Sequence, residues 1–376
     1  MAIAPNLPQP TRVPISDVNT RSFITPMADF LLLGGGSLVV LLLVMAAFPT
    51  ADNTIRLAEW MLLTANVVNH PHFAYSYQLF YRNFRARAFG DAFPHGLKSR
   101  YRFAALYAPV LLAAFLGTAV ARRDMMMLGL GANLMGLLVG WHYVKQGYGM
   151  LIVDGVLKRN FFDARDKRWL LWNGYAVWAL SWCQINRIFE KGDYWGVAVY
   201  TIGIPNWVFY LSVSAAVSTS VMAAKALFRL RGGDAPFPIN GAVAYVVSLY
   251  VWLLVRHPAA LLVIPALHSL QYLVVVFRYR INLERNGDTL GRRWLPSTGA
   301  WSSLLLFAVA GAILGYLAFW IIPLTLDSHF TLKQHGLGPA PYLFSFWVFI
   351  NVHHYLLDNV IWRKDNPDTS RYLFNR

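Results

Sequence analysis

The chain has 376 residues, 57% of them hydrophobic and only 14% charged, with a mean hydropathy of +0.42. A soluble domain carries roughly 25% charged residues, so a large soluble enzyme and a disordered chain are both excluded, and the single cysteine, Cys183, excludes a disulfide scaffold and a zinc-finger array. The net charge is +15, but the Lys and Arg fall in short loops between apolar runs, where positive charge records membrane topology rather than binding to nucleic acid.

The N-terminal tail, residues 1–27, is polar and proline-rich, shows no cleavable signal peptide, and reads as cytosolic. Apolar runs of about 20 residues, the length that spans a bilayer, then recur. They predict ten helices at 28–49, 55–81, 101–121, 125–153, 169–188, 194–224, 237–255, 258–277, 301–324 and 341–362. Arg256-His257-Pro258 is a short break between the seventh and eighth, and it leaves a re-entrant pair open there. The stretch from Asp327 to Pro341 reads as a surface loop. Residues 28–362 thus form one transmembrane domain and 363–376 a cytosolic tail. The expected fold is an all-α polytopic helical bundle.

Positive charge sets the orientation. Loops after the even-numbered helices, with the C-terminal tail, hold 23 Lys and Arg, among them Arg82, Arg85, Arg278 and Arg280; the opposite loops hold seven, including Arg56, Lys191, Arg256 and Lys333. By the positive-inside rule both termini face the cytoplasm, as in a bacterial inner-membrane protein.

Ten histidines occur, and six lie within spans: His70, His72, His142, His268, His353 and His354. The remaining four, His95, His257, His329 and His335, fall in loops or at span edges and read as non-ligands. The helices carrying the six are the second, fourth, eighth and tenth, which all run in one direction. His72, His268 and His353 each precede a cytoplasmic Arg by ten residues. At about 1.5 Å per residue that is roughly 15 Å, half of the ~30 Å hydrocarbon core. His142 lies 16 residues before Lys158. Imidazoles at one depth are expensive in lipid and need partners. A metal satisfies several together, and imidazole suits iron, copper and zinc.

Asp358 lies four residues after His354 and shares its helix face. Asn69, Gln146 and Gln271 are positioned to hydrogen-bond around the histidines, and Tyr143 and Tyr272 to wall a pocket. Pro71, between His70 and His72, loosens that helix and would let both side chains turn inward. His353 and His354 are adjacent and cannot both point the same way. Each histidine alone is as well explained by packing as by ligation; the layer as a whole points to metal or haem. Lys145 is either a Schiff-base lysine or, as the plainer reading, one that snorkels or bonds within the polar layer. Asn206, after Pro205, is a pocket candidate or the satisfaction of a proline break. Of the 14 tryptophans, Trp169, Trp294, Trp301 and Trp362 sit at span ends as interface anchors. No Walker A loop, dinucleotide fingerprint, nucleophile elbow or CxxC is present, so any electrons must come from a separate donor or from the substrate.

The His-x-His of His70 and His72, the single His142 and His268, and His353-His354 followed by Asp358 resemble the histidine-rich integral membrane non-haem iron enzymes. That group contains desaturases, hydroxylases and carotenoid oxygenases. The desaturase spacings are absent, and the histidine count is closer to a four-histidine iron site of the carotene-cleaving type. The resemblance implies one or two iron ions and an oxidation of a lipid-like or isoprenoid substrate with O2 (hydroxylation, desaturation or cleavage). Two other classes stay open on the residues alone: a haem or haem–copper redox protein, and a transporter or accessory subunit with a histidine-lined path.

Overall fold

The computed structural model describes residues 21–91, 93–188, 193–285, 300–330 and 337–374. Expectations for tail residues 1–20, for Lys191, Trp294, Lys333 and His335, and for residues 375–376 lie outside them.

The described chain is almost entirely helical. In chain order the principal helices are α1 (Pro26–Ala47), α2 (Ile55–Ala65), α3 (Asn69–Tyr81), α4 (His95–Arg122), α5 (Met125–Leu157), α6 (Ala164–Ile188), α7 (Asn206–Arg231), α8 (Ile239–Val251), α9 (Pro258–Arg285), α10 (Trp301–His329), α11 (Pro341–Ile361) and α12 (Pro367–Phe374). Six of them, α1, α4, α5, α7, α9 and α10, are long and apolar enough to cross a membrane. Their outer faces fit that solvent. Leu42, Leu43, Leu111, Val217 and Leu305 are all exposed, an arrangement that water would penalise and lipid does not.

Three expected spans differ in detail. The second is broken at Asn66–Val68, so α2 and α3 are separate helices. Pro71 explains the position, because its ring clashes with the carbonyl four residues back, at Val67, and it has no N–H to give. As the third residue of α3 its missing donor falls among those a helix start leaves free anyway. The sixth starts late: Asp193–Tyr194 and Val197–Ala198 pair as a two-stranded hairpin, and α7 begins only after Pro205. The seventh is the short α8, which ends in a π-helical turn at Val247–Val251 ahead of the Arg256 break.

The expected surface loop from Asp327 also needs correction at its start. Asp327 is buried in the last turn of α10, and its carboxylate accepts from the amides of Tyr342 (3.0 Å) and Leu343 (2.9 Å). Those are free donors of the first turn of α11, so an acid from one helix caps the next. The start of α5 is capped locally, by Asp124 accepting from the Met127 amide at 2.9 Å.

Helices α3, α5, α9 and α11 meet along the inside of the bundle, with α10 closing over α3. Gly315 sets that last approach. A Cβ there would stand 2.7 Å from the His70 carbonyl carbon, so only glycine lets α10 lie against the α3 backbone.

Candidate metal centre

The four inner helices each bring one imidazole to a common point: His72 from α3, His142 from α5, His268 from α9 and His354 from α11, all buried. Their rings form a closed circuit. Centroids lie 4.6 Å apart for His72–His354, 5.1 Å for His354–His142, 5.0 Å for His142–His268 and 5.2 Å for His268–His72. The Nε2 atoms of His72 and His354 are 3.0 Å apart, and His72, His142 and His354 each offer a ring nitrogen within 4.8 Å of the other two. Asp358, one turn along α11, places Oδ2 3.5 Å from His354 Nε2 and 3.8 Å from His142 Nε2.

Hydrogen bonds fix the direction of these groups. His72 Nδ1 lies 3.0 Å from the Asn69 carbonyl oxygen. A carbonyl only accepts, so the proton sits on Nδ1 and Nε2 turns a lone pair toward the centre. Ser269 approaches the same Nδ1 at 3.1 Å and donates to the Asn69 side chain at 2.7 Å. Asp358 is held by one oxygen: Oδ1 lies 2.7 Å from Ser76 Oγ and 3.0 Å from Tyr272 OH, and because those two hydroxyls also touch each other, their two protons fill two of the three contacts of the triangle. The other oxygen, Oδ2, is buried with no hydrogen-bond partner among the described residues, as is His142 Nε2 opposite it. Buried polar atoms are nearly always satisfied, and either a proton on the His142 ring or a cation between the two groups would satisfy this pair.

The donor set can be tested against metal geometry. Imidazole nitrogen and carboxylate oxygen bind first-row metals at about 2.0–2.2 Å, which puts neighbouring ligands about 3.0 Å apart in an octahedron and about 3.3 Å apart in a tetrahedron. The three measured edges are 3.0, 3.5 and 3.8 Å. His72, His142 and His354 form a buried triad that could hold a metal ion, with the Asp358 carboxylate beside two of its members. His268 stands beside this set with its Nδ1 buried and unpartnered.

Two of the six expected histidines are placed elsewhere. His353 points to the opposite side of α11, where its Nε2 donates to the Ala104 carbonyl (2.8 Å) and its Nδ1 accepts from Tyr77 OH (2.7 Å). Both nitrogens are used, leaving it no lone pair for a metal. His70 stacks on Phe319 at 4.3 Å, with Trp320 and Trp347 edge-on, and its Nδ1 meets Asn66 Oδ1 at 3.1 Å. Pro71 thus did not turn both α3 histidines inward; it broke the helix ahead of them, and the intact turn then separates their directions.

The outer candidates divide similarly. Gln146 donates to the His268 carbonyl (3.1 Å) and to Gln271 (2.7 Å), and Gln271 donates to the Leu33 carbonyl, so the two amides tie α5 and α9 to α1 behind the histidines. The Tyr143 ring lies 4.5 Å from that of His268. Lys145 sits 5.9 Å over the Tyr175 ring in a cation–π contact with α6. Asn206 is exposed at the first turn of α7 and is not a pocket residue. Sequence reasoning missed Ser76 and Ser269. Ser76 follows His72 by four residues and so shares its helix face, a signal that was available.

A cavity of about 510 Å³ opens on the His268 side, walled by Phe73, Tyr143, Tyr355, Trp178, Trp252 and Trp347. Tyr355 stacks on His142 at 4.8 Å, so the wall and the cluster share rings.

Comparison of the chain with family models, with curated proteins and with solved structures finds no match.

Proposed function

We propose that this chain is an integral membrane metalloenzyme, with both termini cytoplasmic, in which His72, His142, His354 and Asp358 hold a non-haem iron ion. It would oxidise a lipid-like substrate with O2, using electrons from a separate donor or from the substrate. The observation that carries this reading is the buried triad of His72, His142 and His354, whose ring nitrogens lie within 4.8 Å of one another, with Asp358 Oδ2 standing 3.5 and 3.8 Å from two of them. Mixed imidazole and carboxylate ligation with room for another ligand is the pattern associated with oxygen-activating iron. Bound iron would supply the activation of oxygen.

The protein residues do the rest. Asn69 and Ser269 hold His72 in the ligating tautomer, and Ser76 and Tyr272 aim the free oxygen of Asp358. Phe73, Tyr143 and Tyr355 present an apolar wall that positions a hydrocarbon chain beside His268 and keeps water out. The His72–His354 edge favours this reading over a haem: two imidazoles on opposite sides of a haem iron stand about 4 Å apart at the usual bond lengths, whereas these nitrogens are 3.0 Å apart, as neighbours on one metal.

The test is metal analysis by mass spectrometry on detergent-purified protein, with an absorption spectrum of the same sample. One iron per chain without a Soret band is expected, and its loss in His72→Ala. An intense Soret band would transfer the site to haem. Absence of stoichiometric metal after metal-replete purification would leave the histidines as a polar pathway and favour transport.

A further inference from the structure

The cavity beside the histidines carries a cation that the metal centre does not use. Arg256, in the break between α8 and α9, lines it together with five tryptophans, Trp178, Trp182, Trp195, Trp252 and Trp347. The guanidinium bonds only neutral acceptors: the Ser181 carbonyl at 3.1 Å, Ser181 Oγ at 2.9 Å and the Val255 carbonyl at 3.3 Å. Its Nε is buried with no partner, and among the described residues it forms no ion pair. The one acid in the lining, Asp193, is exposed and accepts instead from the Gly196 amide at 3.3 Å. A half-buried arginine with no ion-pair partner among the described residues, in a cavity walled mostly by apolar and aromatic side chains, suits an anion.

Its position gives the ligand a direction. Arg256 lies two residues before the first residue of α9, Pro258, and the dipole of that helix also favours negative charge at this end. His268 lies ten residues into that helix, about 15 Å along its axis. The cavity therefore has a cationic end and an imidazole end, with apolar walls between. Its volume of about 510 Å³ matches one small ligand rather than a two-chain phospholipid.

We propose that the cavity takes a single-chain amphipathic acid, its carboxylate bound by Arg256 and its apolar chain running toward His268. This rests on the reading of the cavity as the substrate site of the metal centre, and it narrows the substrate from any lipid-like molecule to a long-chain carboxylate.

The lining tryptophans provide the measurement: quenching of intrinsic fluorescence of the full chain in detergent, titrated with palmitate, hexadecan-1-ol and hexadecyl phosphate. Palmitate is expected to bind about tenfold or more tighter than the alcohol, the size of a charge-assisted hydrogen bond. Arg256→Gln should reduce palmitate to the alcohol's affinity while leaving alcohol binding unchanged, and Arg256→Lys should keep part of the preference. In the unaltered protein, which needs no variant to fold, acidifying until palmitate is neutral should remove the preference. Equal binding of acid and alcohol, a preference that survives Arg256→Gln or acidification, or hexadecyl phosphate binding more tightly than palmitate would each overturn the proposal. Iron content, measured on the same samples, decides the metal reading separately: palmitate selectivity without iron would leave an acid-binding site and remove the oxygenase.

Discussion

His72 on α3 and His354 on α11 meet at their Nε2 atoms, 3.0 Å apart, across 282 positions of sequence. The Asn69 carbonyl keeps the His72 proton on the far nitrogen, so the contact holds one lone pair turned inward and a space that needs a proton or a cation. Asp358 Oδ2, 3.5 Å from the same His354 nitrogen, adds negative charge to that space. A cation satisfies all three at once.

Metal should therefore support the fold. Chelation of the purified protein is expected to lower its thermal midpoint, since a ligand at a hundredfold excess over its Kd stabilises the native state by about 2.7 kcal/mol. Tryptophan fluorescence melts before chelation, after it, and after metal is restored would show this. An unchanged midpoint would count against a metal bound at this site.

Adjacent histidines should behave differently. His354→Ala is expected to abolish metal retention. His353→Phe should retain metal but lower stability by about 1–3 kcal/mol, because the Ala104 carbonyl and Tyr77 hydroxyl lose their partner. Metal content and thermal melting of the two variants side by side separate the roles, and metal loss from His353→Phe would put that residue back in the ligand set.

The carboxylate is tested through its two oxygens. Asp358→Asn preserves an acceptor for Ser76 and Tyr272 yet removes the charge, and metal should be lost. Ser76→Ala leaves the ligand but frees its orientation, so metal affinity should fall roughly 10–100-fold. Competition with a fluorescent chelator reads both. Wild-type affinity in Ser76→Ala would mean that Tyr272 alone holds Asp358.

Away from the site, Asp327→Ala should destabilise the start of α11 by about 1 kcal/mol through loss of two capping bonds. The readout is faster hydrogen exchange at Tyr342 and Leu343 with metal content intact.

Depth was legible in the sequence and azimuth was not. Counting back ten residues from Arg82 and Arg278 put His72 and His268 at matching heights on their helices because rise per residue is fixed, and the two rings do meet. The same count left out His142, which joins them. Which way a side chain turns depends on what each face packs against. His353 and His354 are neighbours in sequence, yet one is consumed by Ala104 and Tyr77 and the other faces His72. Similarly, Pro71 announced a disturbance in the helix, but whether it would redirect the histidines or cut the helix upstream was a matter of tertiary contact, here the close approach of α10 at Gly315. Arg256 was legible only as a loop charge, because the cavity it enters is assembled from helices far apart in the chain.

The divided use of Asp358 has a consequence for exchange. With Oδ1 held by the Ser76 and Tyr272 hydroxyls and Oδ2 facing the histidines, the carboxylate would offer a metal one oxygen rather than two. It would then be unable to open or close a ligand position by turning. On the proposed reading, a further ligand would enter from the cavity beside His268, and what occupies that space would decide its arrival.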